Sequence, residues 1–154
     1  MSFYIQINEK TIPPYTVVYM RRTGAYGNAN RELMNTFKRW LVEKRFYHAK
    51  TIIWAIPLDD PCVTESSLCR YDVCANISTN EDFGGEILKR EIRGGKYLVF
   101  LIEHTAASIT AAWQKCFDET IRQNRILDQN RPGMECYRKE LVDRHLCELY
   151  VPIL

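Results

Sequence analysis

The stretch Leu146-Cys147-Glu148-Leu149-Tyr150-Val151-Pro152-Ile153 reads as a β-strand, and its alternation decides how the rest of the chain is arranged. Successive side chains of a strand point to opposite faces. Cys147, Leu149, Val151 and Ile153 therefore share one wholly apolar face, which is a core face. Leu146, Glu148, Tyr150 and Pro152 share the other. A carboxylate among a leucine, a tyrosine and a proline is costly to bury unless something pairs with it. The plain alternative is that Glu148 lies on an open sheet face.

Working outward, a strand at 134–138 follows the loop Asp128-Gln129-Asn130-Arg131-Pro132-Gly133. Before that loop, a helix from about 108 to 124 carries Ile109, Trp113, Cys116, Phe117 and Ile121 as one stripe. A strand at 97–102 precedes this helix. Gly94-Gly95 separates it from another at about 86–92. The first half has the same order. A strand at 16–20 follows Pro13-Pro14, and a turn-like segment at 23–28 offers Asn28 or Asn30 as a helix cap. The helix from about 31 to 44 has the stripe Leu33, Phe37, Trp40 and Leu41. Strands at 52–56 and 70–77 follow, with Leu58-Asp59-Asp60-Pro61 as a loop between them.

The two halves also agree in register. The offset that carries Phe37 onto Phe117 carries Leu33 onto Trp113, Leu41 onto Ile121 and Met20 onto Phe100. At a slightly shorter offset, Asp72-Val73-Cys74-Ala75-Asn76-Ile77 resembles Glu148-Leu149-Tyr150-Val151-Pro152-Ile153. The expected fold is α+β: a duplicated strand–helix–strand–strand unit forming one curved antiparallel sheet, with two long helices on one face and a central ligand cleft. One domain spans 1–154, with repeats at about 1–80 and 84–154. Tyr71, Val73, Ala75 and Ile77 form the core face of the matching strand, so Asp72 and Glu148 occupy equivalent places on the face turned from the helices. If the sheet curves there, the halves frame a cleft with acids on its floor.

Composition narrows the function classes. At 154 residues with 46% hydrophobic and 26% charged side chains, the chain is an ordinary globular domain able to bury a core. No apolar run approaches the roughly 18–20 residues that span a bilayer. The start, Met1-Ser2-Phe3-Tyr4-Ile5-Gln6, lacks a signal peptide's basic and apolar regions, so a cytoplasmic protein without membrane attachment is expected. Net charge is only +2 and basic residues come in dispersed pairs such as Arg21-Arg22, which argues against direct nucleic-acid binding. The six cysteines include no C-x-x-C pair and read as reduced core residues.

Four stretches together resemble the GyrI-like effector-binding family, which includes the bacterial DNA gyrase inhibitory protein and the ligand-sensing domains of AraC-type and MerR-type regulators. They are Tyr19-Met20-Arg21-Arg22-Thr23-Gly24-Ala25-Tyr26-Gly27, Asp59-Asp60-Pro61 with Cys69-Arg70-Tyr71-Asp72, Gly94-Gly95-Lys96-Tyr97, and Glu148-Leu149-Tyr150-Val151-Pro152-Ile153. The resemblance implies the same duplicated unit. In multidrug-sensing members, a glutamate on the last strand answers the charge of lipophilic cations among aromatic rings, and the matching position is Glu148. The chain has no helix-turn-helix segment to spare, so a regulator role implies a separate DNA-binding partner. The family's namesake makes DNA gyrase an alternative partner, and some standalone relatives hydrolyse strained-ring alkylating compounds.

The leading expectation is a non-enzymatic protein that binds a small amphipathic cation, with Glu148 as counter-ion. Aromatic faces add cation–π attraction of about 0.5–2 kcal/mol each. The ligand-binding candidates are Glu148, Tyr150, Trp54, Tyr19, Phe100 and Asp72, with Tyr137 and Trp113 ranked below them. Trp113 lies on the helix stripe and is expected to pack against the sheet. The alternatives are a gyrase-modulating interaction protein and a hydrolase of reactive electrophiles using Glu148. No catalytic Cys–His pair, metal-ligand spacing or cofactor motif is identifiable, and His48, His104 and His145 have no assigned catalytic role.

Overall fold

The computed structural model describes residues 2–154, with Met1 outside the described residues. Its elements run β1 (Gln6–Ile12), β2 (Tyr15–Thr23), α1 (Asn28–Glu43), β3 (Ile52–Pro57), β4 (Arg70–Asn76), β5 (Leu88–Ile92), β6 (Gly95–Glu103), α2 (Ala106–Arg122), β7 (Met134–Arg138), α3 (Lys139–Val142) and β8 (Leu146–Pro152). The eight strands form one antiparallel curved sheet in the order β1-β6-β8-β7-β3-β4-β2-β5. The repeated unit is therefore strand–strand–helix–strand–strand, one strand longer than the sequence pattern gives. β1 escapes that pattern because only Ile12 of its seven residues is fully buried. An edge strand leaves little apolar alternation to read.

The outermost strands are exchanged between halves. β1 leads directly into β2 but pairs with β6, whereas β5 leads into β6 but pairs with β2. The connections Pro13-Pro14 and Arg93-Gly94 thus join strands near opposite edges, so the sheet must curl until those edges meet. Gly94 sits at the crossing. A Cβ there would lie 2.5 Å from the Ile12 carbonyl oxygen and 2.7 Å from the Pro14 nitrogen. Only glycine lets the two connections approach this closely.

Register fixes which side chains share a face. Met20, Val73, Ala55, Glu135, Leu149 and Phe100 are partners in successive strands and form a row facing the helices. α1 covers β2 and β4, and α2 covers β6 and β8, so each helix lies on its own half. The α1 stripe meets this face with Phe37 and Leu41 buried. In α2 the buried apolar residues are Ala112 and Cys116, whereas Phe117 and Ile121 of the expected stripe are exposed because that helix face borders open space. The other face carries Tyr19, Cys74, Trp54, Cys136 and Glu148 in the neighbouring row. Curling packs that side into its own core of Trp54, Tyr97, Tyr150, Val99 and Met134.

Two capping details follow from local chemistry. Thr105 caps α2, its hydroxyl accepting from the Ser108 N–H at 3.1 Å. α1 begins at Asn28 behind Gly27 and has no side-chain cap, contrary to the role expected for Asn28 or Asn30. Asn30 Oδ1 instead accepts from Arg22 Nη1 at 2.6 Å. No helix of the described residues is long and apolar enough to cross a membrane.

Candidate functional site

Because each helix rests on its own half of the sheet, a cleft of about 930 Å³ remains between them, above the β3–β7 junction. One wall is α1, which presents Arg31, Met34, Asn35 and Lys38 at helical spacing. The facing wall is α2, with Ala106, Ile109, Trp113 and Phe117. Tyr26 and Tyr71 close one side, and Glu135 and Tyr137 lie on the sheet floor. The α1 wall is polar and basic; the α2 wall is apolar and aromatic.

Glu135 is the carboxylate on that floor. It stands directly opposite Ala55 on β3, whose methyl leaves space above the sheet. The Tyr137 hydroxyl donates to one carboxylate oxygen, and Trp113 Nε1 donates to the other at 2.6 Å. Both donors are neutral, and among the described residues no Lys, Arg or His forms an ion pair with Glu135. Burial pushes its pKa above the ordinary carboxylate range, and the hydrogen bonds from Tyr137 and Trp113 only partly offset this. The Tyr137 hydroxyl is itself pushed up, by burial first and then by the adjacent Glu135.

The basic groups of the cleft are also displaced. Lys38 is half-buried, and burial lowers its pKa. It makes no ion pair or side-chain hydrogen bond among the described residues. His104 is lowered by burial, with Lys38 and then His145 adding to the effect. Its ring packs on Tyr137 with centroids 5.1 Å apart.

The six residues expected from sequence as ligand contacts are placed elsewhere; none lines this cleft. Glu148 does face away from the helices and is only 6% exposed. Lys10 Nζ and Arg138 Nε each lie 3.1 Å from it, so two protein cations already answer its charge. It borders a separate polar hollow of about 500 Å³ with Lys10, Arg138 and Arg144. Asp72 is fully buried, held by Arg21 at 2.6 and 2.9 Å and by Arg90 at 2.8 Å. Trp54 and Tyr150 pack edge to face at 5.0 Å in the closed core, while Tyr19 lies under Arg21 and Arg90. Phe100 points to the opposite face and is buried under α2 with Phe3 and Tyr4. The acid-bearing face expected to open as a central cleft is instead filled at its centre by aromatic rings as the sheet curls, with the polar hollow beside Glu148 at its margin.

Trp113 and Tyr137, ranked low from sequence, are the direct partners of Glu135. Glu135 itself was missed. Its signal is the alternation in Met134-Glu135-Cys136-Tyr137-Arg138, which puts an acid and a tyrosine together on the helix-facing side. The cysteines are reduced and five of the six are buried; burial raises the Cys116 and Cys147 thiols to about 12, which disfavours thiolate chemistry. Among the described residues, no group of three or more His, Cys, Asp or Glu could hold a metal.

Known proteins resemble this chain in sequence or in fold. The Bacillus subtilis (strain 168) protein named "SPbeta prophage-derived putative transcriptional regulator YosT" is 37% identical over 154 residues, covering 97% of this chain and 99% of its own. The EcmrR C-terminal domain superposes with a TM-score of 0.74 at 13% identity, over 97% of each chain. Against EcmrR bound to DNA, this chain spans only 57% of the partner's length. SAV2435 bound to tetraphenylphosphonium superposes with a TM-score of 0.64 at 12% identity, covering 97% of this chain and 94% of that one. At such identities the two structural likenesses speak to the fold alone. Residues 5–154 match the family described as the GyrI-like small molecule binding domain, and the chain belongs to that family.

Proposed function

We propose that the protein is a receptor for a lipophilic organic cation, which lies between α1 and α2 with Glu135 as its counter-ion. The observation that carries this reading is the Glu135 carboxylate, set among aromatic groups and hydrogen-bonded only by neutral donors. A carboxylate in that position is unfavourable when empty and gains most from an arriving positive charge. Trp113, Phe117, Tyr137 and Tyr71 supply ring faces for the apolar body of the ligand. The tetraphenylphosphonium bound by SAV2435 supports this ligand class, since it joins a delocalised cation to four phenyl rings. This reading transfers the counter-ion role from Glu148, whose charge is already matched within the protein, to Glu135.

Titration calorimetry with tetraphenylphosphonium tests it. The wild type is expected to bind and Glu135→Gln to bind weakly, whereas Glu148→Gln retains affinity if it remains folded. A Gln can keep both neighbours satisfied, accepting from Trp113 and donating to the Tyr137 oxygen. Binding that is indifferent to Glu135→Gln overturns the reading.

A further inference from the structure

The cleft contains a feature that a receptor for a simple cation does not need. Lys38 projects from the α1 wall into the same space as Glu135, half-buried and without an acidic partner among the described residues. A lysine in this setting loses hydration and repels the ligand that Glu135 attracts. Other partly buried cations have acidic partners: Arg21 and Arg90 share Asp72, and Lys10 and Arg138 share Glu148. Lys38 has neither an acidic partner nor a side-chain hydrogen bond among the described residues, and it lines the cleft.

The two charges occupy separate poles. Glu135 is hydrogen-bonded by Trp113 of α2, whereas Lys38 belongs to the α1 wall with Arg31 and Asn35. The His104 ring packs at a tilt against Tyr137, and its pKa is lowered by burial first and then by Lys38. We propose, resting on the reading above, that the ligand is amphoteric: an organic cation that also carries an anionic group, with the cation at Glu135 and the anion at Lys38. Each ligand charge then meets the protein charge that the empty cleft leaves unanswered.

Two probes separate this from a receptor for simple cations: (4-carboxybutyl)triphenylphosphonium and its methyl ester. They share the cation and rings, and only the first has a free carboxylate on a flexible arm. Calorimetry on the wild type is expected to give about tenfold tighter binding of the free acid, the scale of one charge-assisted contact. Lys38→Met removes the preference and strengthens the ester, while Lys38→Arg keeps the preference and so controls for folding. Glu135→Gln weakens both probes. Equal or tighter binding of the ester by the wild type, or a preference unchanged in Lys38→Met, overturns the amphoteric ligand while the cation receptor stands. Failure of both probes to bind, or indifference of both to Glu135→Gln, removes the cation receptor and this inference with it.

Discussion

Glu135 and Glu148 lie on adjacent strands of one sheet, yet they have opposite environments. Glu148 faces the side turned from the helices and holds two cations. Glu135 faces the helices and holds none, only a phenol and an indole. The first carboxylate ties separate strands together, because Lys10 comes from β1 and Arg138 from β7. The second stabilises nothing comparable and stays partly desolvated. Acidity and burial alone therefore do not single out a candidate for charge recognition; on the proposed reading the missing counter-ion does.

The sharpest break in this contrast is Asp72→Asn. It leaves Arg21 and Arg90 facing each other over a fully buried position, at a cost of about 3–5 kcal/mol, measurable by urea unfolding. Next is Glu135→Gln, expected to weaken tetraphenylphosphonium binding by about 2–3 kcal/mol, or roughly 30- to 150-fold, for a partly desolvated charge pair. Glu148→Gln should destabilise by about 2 kcal/mol, less than Asp72→Asn because Glu148 is held by two contacts of 3.1 Å, whereas Asp72 has three between 2.6 and 2.9 Å.

A pH series sharpens the comparison further. The raised pKa of Glu135 means that a cation must displace a proton at low pH. Affinity should rise with pH from the ordinary glutamate range up through the raised value, by up to about tenfold per unit, and then level. The dependence is expected to vanish in Glu135→Gln, as read by calorimetry across buffers. The smallest effect is on stability. A carboxyl whose pKa is raised in the fold favours folding at acid pH and loses that contribution as pH rises through its folded value. Glu135→Gln should therefore melt above the wild type near neutral pH, by about 1 kcal/mol, with the gap closing towards pH 4. A variant less stable than the wild type at neutral pH would break the claim that this acid is uncompensated.

Much of the architecture was legible because apolar periodicity is local. The stripe Leu33, Phe37, Trp40 and Leu41 and the alternation from Cys147 to Ile153 each identify an element from a few neighbouring residues. The equivalence of Asp72 and Glu148 was readable too, and both are buried acids turned from the helices. Exchange of β1 and β5 was not, since which strand pairs with which depends on distant chain. That exchange decides which face of the sheet stays open. It curls the sheet, closes the face carrying Trp54 and Tyr150, and leaves the gap between the helices as the open space. Trp113 matched the helix stripe, but periodicity cannot tell a residue packed on the sheet from one that borders a groove.

The pairing of Ala55 with Glu135 has a consequence for how such a molecule can be assembled. These two positions are related by the same offset as Met20 and Phe100, so they are each other's counterparts and meet at the centre of the duplicated fold. Two identical half-length chains could put either no acid or two at that spot, and two would repel at close range. Joining the copies covalently lets them drift apart in sequence, so that a lone negative charge can sit where perfect twofold symmetry forbids one.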